Sequence, residues 1–349
     1  MNKIRISTII PNFNHGEFIE TAILGVLNQS FKPYEVLVID DGSTDDSVSK
    51  IKAIAANYPN LKLITLPKNM GALNAVNFGL NEIKGEFVHL AAADDFAPPD
   101  LYEKLVEGLR LFPNAAFVSG EAKVIDRETK VESYRPAIRP SRRVKYINSK
   151  ATAQSLRNSD NWILTLSSLI SVEKLRREGG FDEALGAFCD GYLLRKMALE
   201  YGFVFAPNAY MEWRISEDGQ SRILMTDPVR GISTLDYGVK RMQSEPVFPE
   251  WYIAKFINRW KFGMARIAIF STASNVDILE KFLVSGKLSN LTLTKLFSRS
   301  TKISRILLLT WITLKFRPFS IRRILFTLVT RKIDLLFLNR TFPHRGSGS

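Results

Sequence analysis

Hydrophobic residues fall along the chain as short continuous apolar runs alternating with longer stretches of helical spacing. Ile4–Ile10, Val36–Ile39, Leu61–Leu66 and Glu86–Leu90 are compact and β-rich, the form a strand takes when both its faces are covered. Between them, Glu17–Asn28 places Phe18, Ile19, Ala22, Ile23, Val26 and Leu27 at helical spacing, and Ser47–Ala56 and Leu73–Ile83 predict two more helices. Strands joined through helices need crossover connections, so the pattern predicts an α/β fold, a mostly parallel central sheet flanked by helices. A helix over Leu101–Leu111 follows Pro98-Pro99-Asp100 and is stopped by Pro113, and Ala115–Val118 reads as another strand. Asp126–Asn148 is polar and basic (Arg135, Arg139, Arg142, Arg143, Lys145) and reads as a loop ordered over a site by binding, or as a solvated surface loop. Trp162–Ser171 predicts a strand, Val172–Glu178 a helix, Gly179–Glu183 a turn, Asp190–Glu200 a helix, and Phe203–Ala206 and Tyr210–Ile215 two short strands.

From Trp251 the pattern changes to long apolar runs cut by single basic residues. Composition sharpens this: the formal charge of the whole chain is +13, yet residues 251–349 hold 18 Lys and Arg against Asp277, Glu280 and Asp334, so the excess lies entirely in this part. Ile306–Leu314 and Ile324–Thr330 are each too short to span a bilayer. A helix over Ile321–Leu338 would carry Ile321, Ile324, Leu325, Leu328 and Leu335 on one stripe, with Arg323 and Asp334 opposite and Lys332 snorkelling. The region reads as a basic anchor on an anionic membrane surface, the expected partner, or as an ordinary helical subdomain packed on the preceding domain; nucleic acid is not expected, because the apolar runs exceed what phosphate binding requires. The expected organisation is a domain over 1–235, a linker over 236–250, a basic amphipathic helical extension over 251–345, and an artificial linker over 346–349. One cysteine, Cys189, excludes an internal disulfide, and the apolar run before Pro11 is too short for a signal peptide. The expectation is a cytoplasmic protein, peripheral on the inner face of the cell membrane.

The candidate chemistry clusters at predicted strand ends. Asp94 and Asp95 follow Glu86–Leu90, and Asp41, within Asp40-Asp41-Gly42-Ser43-Thr44-Asp45, follows Val36–Ile39. In an open α/β sheet those loops line the carboxyl edge, where ligands bind, and two carboxylates suffice for a hard cation shared with substrate phosphates. Asp190 opens a helix beyond the glycine turn. Each of these acids, taken alone, also reads as a helix cap. No G-x-G-x-x-G follows the first strand, which argues against a dinucleotide cofactor.

Taken together, IIPNFN at 9–14, VLVIDDGSTDDS at 36–47, NMGALNAVNFG at 69–79, AADDFAPPD at 92–100 and GGFDEALGAFCDGYLLRKM at 179–197 resemble the family 2 glycosyltransferases of GT-A fold, of the non-processive bacterial type. The resemblance covers about residues 4–225 and does not reach the extension. It implies that Pro11, Phe13 and Asp41, with Asn14, Asn69 and Gly71 of the same motifs, hold the nucleotide donor. It further implies that Asp94, matching the last Asp of D-x-D, binds Mn²⁺ or Mg²⁺ on the donor phosphates with Asp95 secondary, and that Asp190 is the general base. Three positions depart from the pattern: Ala92 stands at the first Asp of D-x-D, Cys189 at the Glu before the base, and Ser216 where many members place a His, with Glu217 or Asp218 as substitutes. The Q-x-x-R-W signature of processive synthases is absent. The expected activity is inverting transfer of one sugar from a nucleoside diphosphate sugar, a UDP-sugar by family habit, to a hydroxyl of a lipid-linked glycan in surface polysaccharide or glycoconjugate synthesis. Transfer to a polyprenyl phosphate, or a degenerate binding protein, are the alternatives.

Overall fold

Residues 4–136, 139–158, 163–215, 228–270 and 302–318 are described by the computed structural model. Strands β1 (Ile6–Asn12), β2 (Glu35–Asp40), β3 (Leu61–Thr65) and β4 (Phe87–Leu90) alternate with helices α1 (Ile19–Leu27), α2 (Ser47–Ala55), α3 (Ala72–Glu82) and α4 (Leu101–Leu111). The strands pair in parallel, with Ile9 level with both Leu37 and Leu90. Ile9, Leu37 and Ile39 pack on one face against Ala75, Val76 and Leu80 of α3. Ile6, Ile10, Val36 and Val38 pack on the other against Ile19, Ile23 and Val26 of α1 and Leu101 and Leu105 of α4. Burial on both faces is why these runs are mostly apolar, and each such apolar side chain contributes about 1.5–3 kcal/mol.

The chain continues through β5 (Phe117–Asp126), β6 (Glu132–Arg135), β7 (Lys145–Ile147), α5 (Ser149–Asn158), β8 (Ser168–Ser171), α6 (Val172–Arg177), α7 (Cys189–Tyr201) and β9 (Phe203–Ile215). It ends, among the described residues, with α8 (Pro228–Gln243), α9 (Glu250–Phe270) and α10 (Lys302–Phe316). The nine-stranded sheet has the order β3-β2-β1-β4-β8-β5-β9-β7, with β6 on β5. Because β8 is antiparallel to both β4 and β5, β5 and β9 run in the direction of β1–β4, and only β6, β7 and β8 oppose it. The sheet is mostly parallel.

Four expectations are corrected. Phe203–Ala206 and Tyr210–Ile215 are one strand, β9, interrupted where its register with β5 shifts between Ser119 and Glu121. There Gly120 lies so close to Ala209 that a Cβ would sit 2.3 Å from the Ala209 carbonyl oxygen, so only glycine fits. The strand expected over Ala115–Val118 extends to Asp126, because the buried Glu121 is satisfied by Arg139 Nε at 2.6 Å and the Asn208 N–H at 2.7 Å. The polar 126–148 segment, expected as a loop, contains β6 and β7, and its Arg139 serves this buried carboxylate. In the expected strand over 162–171, Trp162 lies outside the described residues, and Thr165–Ser167 form a 3-10 turn before β8.

The start of the extension packs on the sheet domain: Phe256 of α9 stacks on Phe188 with ring centroids 4.4 Å apart. Further along, Ala265 and Ile269 of α9 meet Leu308, Ile312 and Phe316 of α10. The opposite face of α10 exposes Ile303, Ile306, Leu307 and Leu314. No helix among the described residues is long and apolar enough to cross a membrane. The helix expected over Ile321–Leu338 lies outside them.

Candidate active site

The carboxyl edge of the sheet collects the candidate residues. At the ends of β1 and β2 two loops lock together. Buried Asn12 donates through Nδ2 to Asp40 Oδ1 (2.7 Å) and Ser47 Oγ (3.0 Å). Asn14, at φ 55°, accepts from the Thr44 N–H at 2.8 Å. Pro11 and Phe13 beside them are half-buried.

Asp41 is 1% exposed. Its two carboxylate oxygens accept the N–H groups of Met70 (2.7 Å) and Gly71 (2.8 Å), which folds the loop before α3 back over β2. Asn69 Oδ1 accepts from the same Gly71 N–H at 3.0 Å. This close approach requires Gly42, at φ +76°, where an added Cβ would lie 3.0 Å from the Lys68 carbonyl carbon. Asp41, Asn69 and Gly71, separated by nearly thirty residues in sequence, are thus one hydrogen-bonded unit.

Asp94 and Asp95 point to different environments. Asp94 is partly exposed, and its Oδ2 accepts from Arg127 Nη2 at 3.0 Å, while the same nitrogen donates to the Asp94 carbonyl oxygen at 3.1 Å. Asp95 is 4% exposed, and its Oδ1 accepts the Arg214 N–H at 2.9 Å, tying the end of β4 to β9. Burial, and then the charge of Asp94, push the Asp95 carboxyl up to about 8. The two carboxyls therefore face different surroundings, Asp94 partly exposed and Asp95 buried against the Arg214 backbone. Among the described residues no three His, Cys, Asp or Glu side chains gather as a metal site. Asp94 alone remains as a hard oxygen donor at the sheet edge, which fits Mn²⁺ or Mg²⁺ only where donor phosphates complete the shell. The methyl group of Ala92 supplies no ligand, and Ser216, Glu217 and Asp218 lie outside the described residues.

Asp190 reaches this edge through a neighbour. Because β8 runs antiparallel to β4, the Thr165–Ser167 turn that precedes β8 lies toward the carboxyl end of β4. Thr165 Oγ1 donates to Asp190 Oδ2 at 2.9 Å, and the Gly191 N–H donates to Oδ1 at 2.6 Å. The turn is itself pinned by His89 of β4, buried in the sheet. His89 Nε2 meets the Leu166 carbonyl at 2.8 Å and must donate, so Nδ1 accepts from Tyr102 Oη at 2.8 Å, and Tyr102 accepts from Thr8 Oγ1 at 2.6 Å. Burial holds the imidazole neutral, down at about 4. Cys189, beside Asp190, is also buried, and burial and then the Asp190 charge push its thiol up to about 12, which disfavours the thiolate.

Sequence reasoning missed Arg127, Thr165 and His89. Arg127 lies one residue past β5, a parallel strand ending at the same edge as β4, but β5 was not legible that far. His89 is a lone polar residue in an apolar run, a signal that a buried partner exists without naming it.

Residues 7–169 match the profile of Glycosyl transferase family 2. They form a family 2 glycosyltransferase domain. An uncharacterized glycosyltransferase of Haemophilus influenzae is 38% identical over 104 residues, 30% of this chain and 42% of that one, so this chain spans about two fifths of that curated relative. In three dimensions the chain resembles S. aureus TarS 1–349, solved in complex with UDP-GlcNAc (TM-score 0.62, 15% identity, 90% of this chain and 92% of that one). It also resembles the mannosyltransferase PcManGT of Pyrobaculum calidifontis, solved with GDP-Man and Mn²⁺ (TM-score 0.54, 20% identity, 96% and 88%). At these identities the likeness is one of fold, and the fold is GT-A.

Proposed function

We propose that the protein is an inverting glycosyltransferase that moves one sugar from a nucleoside diphosphate sugar to a hydroxyl of a glycan acceptor. The observation that carries this reading is the gathering of Asp41, Asp94 and the Thr165-held Asp190 on one edge of a GT-A sheet, the first two inside the residues that match the family 2 profile and Asp190 beyond them. In this reading Asp41 and the loop it folds, with Pro11, Phe13 and Asn14, bind the nucleoside. Asp190, its carboxylate oriented by Thr165 and Gly191, takes the acceptor hydroxyl's proton as that oxygen forms a bond to the anomeric carbon. The bond from that carbon to the phosphate oxygen breaks on the opposite face, which inverts the centre. A divalent ion, when bound by Asp94 and the phosphates, would offset charge on the departing diphosphate. UDP is proposed as the leaving group, in keeping with UDP-GlcNAc bound to TarS. A thermal-shift panel of UDP-, GDP- and dTDP-sugars with and without Mn²⁺ tests the donor: at least one is expected to raise the melting temperature by several degrees, and a flat panel removes the reading.

We further propose that the acceptor is lipid-linked and that the extension keeps the enzyme on an anionic membrane. Support comes from the apolar exposed face of α10, in a region where basic residues outnumber acids by 18 to 3. In flotation with anionic liposomes the protein is expected to rise with the vesicles at low salt; recovery in the soluble fraction rejects membrane attachment.

A further inference from the structure

Arg127 stands where the family 2 reading leaves a shortage of positive charge. Its guanidinium donates twice through Nη2 to Asp94, to Oδ2 and to the carbonyl oxygen. It lies 4.0 Å from the centroid of the Phe18 ring, and its backbone N–H is fixed to the Ile215 carbonyl at 2.9 Å. The turn that carries it is held by Asp126 Oδ1, which accepts from the Glu128 and Thr129 N–H groups. With both side chains mostly buried, at 21% and 27% exposed, this ion pair is better shielded from solvent than an ordinary surface pair. Nε is buried without a partner, so Asp94 does not satisfy the guanidinium in full.

Consider an incoming diphosphate. A bare Asp94 carboxylate would repel it, which is what a divalent ion ordinarily prevents. Here Ala92 removes one such carboxylate and Arg127 neutralises the other. We propose that Arg127 is the resident counter-ion of the diphosphate site: it allows the nucleoside diphosphate to bind without metal, and a divalent ion must displace it to reach Asp94. The inference rests on the donor being a nucleoside diphosphate sugar. It assigns to this chain a positioning cation drawn from the strand next but one to β4, with metal and arginine as alternatives on one carboxylate.

Calorimetric titration of UDP and GDP into the full chain, in EDTA and in Mn²⁺, tests it. The wild type is expected to bind one of them in EDTA. Arg127→Gln is expected to lose at least tenfold in EDTA and to recover most of that loss in Mn²⁺, whereas Arg127→Lys, which keeps the charge, stays within about threefold of wild type. Mn²⁺ titrated without nucleotide is expected to bind Arg127→Gln several-fold tighter than wild type. Nucleotide binding by the wild type only in Mn²⁺ overturns the proposal and leaves the glycosyltransferase reading intact. An equal loss in both conditions assigns Arg127 a structural role instead, and failure of the wild type to bind either nucleotide under both conditions overturns the inference and the donor reading together.

Discussion

Asp190→Asn is expected to leave the protein folded and its affinity for the donor nucleotide unchanged, while sugar transfer falls by roughly 10²–10⁴, the range a positioned general base supplies. The amide is isosteric and its oxygen still accepts from Thr165 or Gly191, which the carboxylate serves at 2.9 and 2.6 Å, so the turn beside β4 stays in place. What is lost is the capacity to take a proton. Kinetics and a melting curve on the same preparation decide the matter: a drop in kcat with an unmoved melting temperature and unmoved nucleotide Kd assigns the base, and retained turnover strips Asp190 of that role. A parallel drop in stability would instead mean that Asp190 acts through the Thr165–Ser167 turn.

The second large effect is on stability, and two buried groups oppose one another in it. His89, held down at about 4 against an ordinary 6.5, remains neutral in the folded protein while the unfolded chain takes up a proton below pH 6.5. Its contribution to stability is complete above pH 6.5 and declines as pH falls toward 4, by about 1.4 kcal/mol per unit and about 3 kcal/mol in all. Asp95, raised to about 8 from 3.8, has the opposite sign: the folded protein keeps its proton where the unfolded chain has lost it, so stability is complete below pH 3.8 and declines as pH rises toward 8. Between pH 4 and 6.5 the two slopes offset each other in the wild type. Asp95→Asn removes one of them and preserves the acceptor for the Arg214 N–H. In EDTA this variant is expected to be several kcal/mol more stable than wild type at pH 8, and to lose about 3 kcal/mol on acidification from pH 6.5 to 4. Urea unfolding across that range measures both. A variant whose profile runs parallel to wild type would show that Asp95 is ionised in the fold.

The sheet's first half was legible because a buried parallel strand leaves no choice of residue: every position of Val36–Ile39 faces a helix, so every position is apolar. The later strands were harder to read. Glu121 and Lys123 look like loop residues until Arg139 and Glu132 are seen to pair with them, and Pro207-Asn208 looks like a turn until Gly120 is seen to accommodate the bulge. Local sequence records a residue's own preference and not the partner that overrides it. The candidate site divides in the same way. Asp41, Asp94 and Asp190 were visible as acids at element ends. Their states were not, because a carboxylate's charge and availability depend on groups up to dozens of positions away.

By itself the sequence determined the alternation of strands and helices, the direction of the sheet and the three acids at its carboxyl edge, since these depend on which residues can be covered and which cannot. Only the tertiary structure decided that Asp95 is turned inward against the Arg214 backbone, that Arg127 sits on Asp94, and that His89 reaches Asp190 through the turn at Thr165. Those outcomes depend on burial and on charges brought within a few ångströms by strands that are distant in the chain, and electrostatic interactions take their strength from that distance and that burial.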